Sequence, residues 1–219
     1  MKPGPISLSA LVMLVVTTST AAAQQLAPPA AESPKTKLSV AELQQIGAAL
    51  TGKDAKSIQD ACDALVTAEV DPRAQPAVCL ALEKLMTTGG STIRMHACTA
   101  LVSWGRPQSM PLVMQTARDP VAAVRHRGIA ALGRSKSATA GPVLARWLKD
   151  PRADFRQQPR ELDVAQDRRV IGRALMAAGP QARSYLAKLA TDSDADVAAL
   201  AGEIIKYYDS LEAGGASTK

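Results

Sequence analysis

Aromatic side chains are nearly missing from this chain: one Phe, two Trp and three Tyr make up 3% of 219 residues. A β-sandwich or barrel fills its core with aromatic and β-branched residues. With no alternating apolar–polar segment of any length, that scarcity excludes an all-β fold. Histidine is equally scarce, with His96 and His126 as the pair present, and cysteine stops at Cys62, Cys79 and Cys98. The sequence holds no H-E-x-x-H, G-x-S-x-G or C-x-x-C motif and no phosphate-cradling glycine loop. Zinc hydrolysis, serine hydrolysis, dithiol chemistry and nucleotide hydrolysis therefore have no signature here, and no catalytic, metal or cofactor-binding residue is nominated. A long hydrophobic run is also lacking. The longest, residues 6–16, holds 11 residues, too few to span a hydrocarbon core of ~30 Å at ~1.5 Å per residue.

What the chain has in abundance is alanine, within a 47% apolar and 21% charged composition. Ala, Leu and Val suit closely approaching helices. The short apolar run follows Met1 and Lys2 and leads into Ala21-Ala22-Ala23. Residues 1–23 therefore read as a secretory signal cleaved before Gln24, which places the mature protein in the periplasm or outside the cell. Residues 24–38 contain Pro28, Pro29 and Pro34 and read as a disordered Pro/Ala linker. Ser39 and Glu42 have capping-box spacing, so the folded domain is expected over 39–212, with a flexible tail over 213–219.

Laid against itself with a shift of 31, the chain superposes Ile93-Arg94 on Val124-Arg125, Ala100-Leu101 on Ala131-Leu132, and Arg118-Asp119 on Lys149-Asp150. A shift of 43 puts Arg125 on Arg168, and a last copy opens at Asp192. Such self-similarity is the mark of a helical repeat array. Each copy reads as two short helices, with Asp119-Pro120 supplying an N-cap and a proline at the first helical position, and Gly133 ending that helix. The periodicity predicts helices over 40–51, 55–68, 73–87, 91–103, 107–118, 121–133, 137–149, 164–178, 181–190 and 194–211.

The pattern Asp-Pro-x-x-x-Val-Arg-x-x-x-x-x-Ala-Leu from Asp119 to Leu132 resembles the HEAT repeat, in the short form shared with phycobilisome lyase-type proteins. The resemblance covers about residues 54–212; the first copy lacks the Asp-Pro and the Arg, and the last has Ala198 in the Arg position. It implies an all-α, armadillo-like, right-handed α-solenoid of about four to five helical hairpins. It also implies a non-catalytic scaffold for protein–protein interaction, or alternatively an accessory subunit of a lyase-type enzyme. In this family the repeat aspartate and arginine bond to each other or to the neighbouring copy. Asp119, Arg125, Asp150 and Arg168 are accordingly structural repeat residues rather than a ladder for anions.

His96 falls on Arg127 rather than on His126 under the 31-residue shift, so the two histidines differ by about 100° around their helices and do not form a paired metal site. Asp192, Asp194 and Asp196 lack the glycine and glutamate of a calcium loop and read as helix N-terminal acids.

Residues 94–188 carry 17 Lys and Arg against 6 Asp and Glu, between two acidic flanks. A basic centre suits a partner protein with an acidic surface; an anionic envelope polymer, a lipid surface, or a merely solvated face are the alternatives. The export signal and the scarcity of aromatics for stacking bases argue against nucleic acid.

Cys62 and Cys79 are equally far from the turn near residue 70, which makes a disulfide between them a candidate in an oxidising compartment, with Cys98 left as a core thiol; three free buried thiols are the alternative. The longest departure from the repeat is an excess of 11 to 12 residues after Asp150-Pro151. Solenoid insertions form loops on one edge. Arg152, Phe155, Arg156 and Arg160 are therefore candidate partner contacts, with Phe155 either protruding as an interface anchor or folding back over the seam between two repeats.

Overall fold

A computed structural model describes residues 26, 34–135, 137–155, 159 and 162–216. Its elements are α1 (Val40–Thr51), α2 (Ala55–Thr67), α3 (Gln75–Thr88), α4 (Ser91–Trp104), α5 (Met110–Thr116), α6 (Ala122–Arg134), α7 (Ala140–Lys149), α8 (Val164–Ala178), α9 (Arg183–Leu189) and α10 (Ala195–Ala216). Short 3-10 turns, Pro107–Ser109 and Pro180–Ala182, lead into α5 and α9. Among the described residues there is no strand, only an isolated bridge between Thr36 and Ala68. The architecture is an all-α solenoid.

Local sequence sets the helix starts. Ser39 and Glu42 form the expected capping box, the Ser39 N–H donating to Glu42 Oε2 at 2.7 Å and the Glu42 N–H to Ser39 Oγ at 3.3 Å. Asp54 caps α2 by accepting from the Ser57 N–H at 2.7 Å, and Asp163 caps α8 by accepting from the Gln166 N–H at 2.8 Å. The apolar stripe of α2, made of Ile58, Ala61, Cys62 and Leu65, is buried at the three- and four-residue spacing of one helical face.

Two layers result. The even-numbered helices stack as α2 on α4, α4 on α6, α6 on α8 and α8 on α10. The odd-numbered helices cover them, α1 on α2, α3 on α4, α5 on α6, α7 on α8 and α9 on α10. Within the odd layer α1 meets α3, α3 meets α5 and α7 meets α9, but α5 and α7 are held apart and touch at most marginally. The even layer is continuous and the odd layer is broken once.

Small residues let α6 approach both α5 and α8 closely. A Cβ on Gly128 would lie 2.4 Å from the Ala117 backbone nitrogen, and one on Gly133 would lie 2.3 Å from the Ala174 carbonyl oxygen. Gly133 is thus a contact residue: α6 runs on through it to Arg134 instead of ending there. Backbone approach does the work that aromatic bulk does in other cores.

The start of α6 is also corrected. Asp119-Pro120 precedes α6 rather than capping it; Asp119 Oδ1 accepts from the Val121 N–H at 2.9 Å in a local turn, and the helix starts at Ala122. The linker is tied down at both ends where it is described. Leu26 is buried and its N–H donates to Glu203 Oε1 at 2.6 Å, while Thr36 exchanges 2.8 Å backbone bonds with Thr67 and Glu69. The tail is helical as far as Ala216. The signal segment, residues 1–23, lies outside the described residues.

All three cysteines are free and buried, so the expected Cys62–Cys79 bond is not part of this structure. The register argument fails because α2 and α3 do not form an antiparallel hairpin. A connector over residues 68–74 carries the chain away, α2 packing on α1 and α4, and α3 on α1, α4 and α5. Cys79 faces the end of α4, where its thiol donates to the Trp104 carbonyl at 3.2 Å.

Candidate functional site

The break in the odd layer is a cleft of about 910 Å³, walled by α3, α5, the turn before α6, and α7. α5 has seven residues and is therefore only about 10 Å long. Two residues past its end, Arg118 joins the cleft lining with its side chain against Trp147 of α7.

Arg118 is 9% exposed. Its guanidinium sits 3.6 Å from the centre of the Trp147 ring and 4.8 Å from that of Phe155. Nη1 donates to the Pro151 carbonyl at 3.3 Å, whereas Nε and Nη2 are buried without a hydrogen-bond partner. Burial pushes the guanidinium down to about 10; the Asp154 and Asp167 carboxylates oppose that shift, and the Arg125 and Arg146 charges add to it. The group still carries its proton at neutral pH. Arg106, at the mouth of the same cleft, likewise has a buried Nε without a partner.

The carboxylates that line the cleft are already engaged. Glu83 accepts from the Ser109 hydroxyl at 2.7 Å, and Asp119 pairs with Arg94 at 2.9 Å. Asp154 pairs with Arg146 and accepts from Trp147 Nε1 at 2.7 Å. The surplus in the cleft is one of cationic donors.

Asp154 also fixes the path of the loop. Its φ of 65° is the positive-φ conformation among the described non-glycine residues, a region that Asp tolerates better than most side chains. The turn it makes sends Phe155 inward. Of the two alternatives for Phe155, the structure has the seam: the half-buried ring covers Arg118 and lies 5.7 Å from the Arg125 guanidinium. Arg152 is exposed on the same loop, and its N–H donates to Asp150 Oδ1 at 2.9 Å. Arg156 and Arg160 lie outside the described residues.

The repeat arginines are structural, as the spacing implies, and each reaches into the next copy. Arg94 Nε donates to Asp119 at 3.1 Å, and Arg168 Nη2 donates to Asp194 at 2.7 Å. Arg125 donates through Nε and Nη2 to Asp167 at 2.9 and 3.3 Å, and through Nη1 to the Asp119 carbonyl at 3.1 Å. Asp150, the counterpart of Asp119 by the shift, stays exposed in a local turn. His126 Nε2 shares the Asp167 carboxylate at 2.6 Å, while His96 pairs with Asp63 at 2.8 Å. Asp192 pairs with Lys149 at 2.9 Å, and Asp194 caps α10 by accepting from the Asp196 and Val197 N–H groups at 3.0 and 3.3 Å. Among the described residues no three His, Cys, Asp or Glu converge as a metal would require.

Residues 91–162, which run from α4 to the loop after α7 and carry nearly the whole cleft wall, match the family described as HEAT repeats. Over that stretch, 72 of its 219 residues, the chain is similar to HEAT repeats. Its array also superposes on the crystal structure of an engineered protein with a TM-score of 0.44 and 19% identity, over 77% of this chain and 79% of that one. No curated protein matches. Among the described residues, no helix is long and apolar enough to cross a membrane. HEAT repeats make helical scaffolds for protein interaction, and that is the function class to which this chain's repeats point.

Sequence reasoning missed Arg118, Arg106 and Trp147 as site residues. The available signal was that Arg118 stands where the next copy has Lys149, a position then treated only as part of the repeat.

Proposed function

We propose that this protein is exported and acts, without catalysis of its own, as a scaffold that binds another protein through the basic centre of its array. The observation that carries the reading is the cleft between α5 and α7, where every lining carboxylate already has a hydrogen-bond or ion-pair partner and two arginines keep buried donors unpaired. The surplus of 17 basic over 6 acidic residues across 94–188 favours a partner with an acidic surface and a fast, salt-sensitive encounter. Export rests on the composition of residues 1–23.

The experiment is capture by the tagged mature chain from an envelope extract, identification of the bound protein, and titration of that protein in purified form. A stoichiometric complex whose affinity falls steeply between 0.05 and 0.5 M salt (roughly the range over which the Debye length shrinks from above 10 Å towards 4 Å) supports the reading. A chain that retains Met1 in the cell, or that yields no purified complex, overturns it.

A further inference from the structure

The ladder of repeat arginines shows what this fold does with a guanidinium. Nε and Nη2 form one edge of the group, with two parallel N–H bonds matched to the two oxygens of a carboxylate. Arg125 presents that edge to Asp167, through Nε at 2.9 Å and Nη2 at 3.3 Å. Arg94 turns the same edge to Asp119, through Nε at 3.1 Å and Nη2 at 2.9 Å. Arg118, a residue of the cleft lining, has the same edge buried with no partner on it, its guanidinium 3.6 Å from the centre of the Trp147 ring.

Leaving two charged donors dry and unbonded is costly, so a buried unpaired edge in a native structure calls for an explanation. Here the neighbouring acids cannot relieve it, since Asp119, Asp154 and Asp167 are each committed to another arginine. Asp150, which the repeat would bring to this region, is held in the turn with Arg152. Among the described residues, then, no carboxylate completes Arg118.

We propose that the α5–α7 cleft is a carboxylate-recognition site for an acidic peptide segment of the partner, one Asp or Glu side chain seating on the Nε–Nη2 edge of Arg118 and a second acidic residue reaching Arg106 at the mouth. This rests on the reading of the protein as a protein-binding scaffold and names the chemistry that its cleft selects. Contacts with Trp147 and Phe155 hold the guanidinium in place, so an incoming group need not order it. A cleft of about 910 Å³ has room for a short peptide and not merely for one small ion. Met114 and Leu112 on the cleft wall give its apolar side chains a surface.

The test uses the full mature chain and a fluorescein-labelled hexaglutamate peptide with a blocked C-terminus, with hexaglutamine as the neutral control. Hexaglutamate should bind and hexaglutamine should not. Arg118→Lys keeps the charge and removes the fork, and should weaken hexaglutamate at least tenfold. Arg106→Gln, at a partly exposed position that spares the fold, should weaken it several-fold. Arg127→Gln, exposed on α6 and outside the cleft, should change it less than twofold. On the unaltered chain, hexaglutamate should shift the Trp147 indole N–H resonance and leave that of Trp104 in place, a readout that stands even if Arg118→Lys fails to fold.

Equal losses in Arg118→Lys and Arg127→Gln, or an unmoved Trp147 resonance, would overturn the proposal. So would binding of anionic lipid vesicles through Arg118 with no binding of hexaglutamate. If the partner captured from the extract binds Arg118→Lys as well as it binds the unaltered chain, this inference fails while the scaffold reading stands. If no partner is captured, the scaffold reading fails, and the hexaglutamate titration still decides the cleft.

Discussion

Arg125 of α6 grips Asp167 of α8 with neither side chain meeting solvent: the arginine is 1% exposed and the aspartate 0%. The repeat pattern would bring Asp150 to this place, 25 residues after the arginine, as Asp119 comes 25 residues after Arg94. The extra loop after Pro151 intervenes, and α8 supplies a substitute from its fourth residue. The bond thus carries the array across its longest irregularity. Asp167 also accepts from His126 at 2.6 Å, so one carboxylate holds two side chains of α6.

Removing one partner of this pair leaves an uncompensated buried charge. Asp167→Asn should lower stability at neutral pH by about 3–5 kcal/mol, the usual range for breaking a buried pair. Denaturant unfolding of the purified chain measures it, and a loss below about 1 kcal/mol would show that the bridge is incidental.

The same carboxylate gives a pH signature. Burial pushes the Asp167 carboxyl up, but the hydrogen bonds from His126 and Arg125 and their charges more than offset it, and the group ends below its ordinary value. A depressed carboxyl contributes stability that is complete above its unfolded pKa of about 3.9 and is lost as pH falls through the folded value. The unaltered protein should therefore hold its stability down to about pH 4 and lose it below. Asp167→Asn should show a shallower fall over that acid range, and an unchanged profile would count against this carboxylate as its source.

All three thiols should be silent in the native protein. Burial pushes Cys62 and Cys98 up to about 12 and raises Cys79 as well, so the reactive thiolate is scarce and shielded. A thiol reagent at neutral pH should modify none of them in the folded chain and all three after unfolding without reductant. Fewer than three modified thiols in the unfolded chain would reinstate a disulfide.

Two glycine-to-alanine exchanges should have opposite signs. A Cβ at Gly133 meets the Ala174 backbone at 2.3 Å, and backbone cannot step aside. Gly133→Ala should cost about 1–3 kcal/mol through overpacking of α6 against α8. Gly202, inside α10, has nothing within 4 Å of the same position, and Gly202→Ala should stabilise by about 0.5–1 kcal/mol through helix propensity. Melting temperatures of the two variants moving in the same direction would refute the packing argument.

Asp154 should separate side-chain bonding from backbone conformation. Asp154→Ala loses both the acceptor for Trp147 Nε1 and the tolerance for a φ of 65°, and should cost about 1–3 kcal/mol. Asp154→Asn keeps an acceptor oxygen and the tolerance, and should cost less. Because this turn aims Phe155 at Arg118, the alanine variant should also alter Trp147 fluorescence; equal effects of the two substitutions would show that neither feature holds the loop.

By itself, the sequence determined the helices and their order. Capping residues such as Ser39, Asp54 and Asp163, and stripes such as Ile58, Ala61 and Leu65, act within a turn or two of the chain, so they can be read without knowing what packs where. The repeat arginines were legible for the same reason, since a periodic array places equivalent residues equivalently. Tertiary structure alone decided where the period is broken. Asp167 takes the place of Asp150, Cys62 and Cys79 remain free thiols, and Leu26 is fastened to Glu203 at the far end of the array. The candidate site is of the same kind. The gap between α5 and α7, the inward turn of Phe155 at Asp154, and the unpaired edge of Arg118 arise from contacts among residues about 30 to 40 apart in the chain, across an insertion that no repeat phase can place. Local periodicity fixes what each helix buries, whereas a donor's lack of a partner is a property of everything around it.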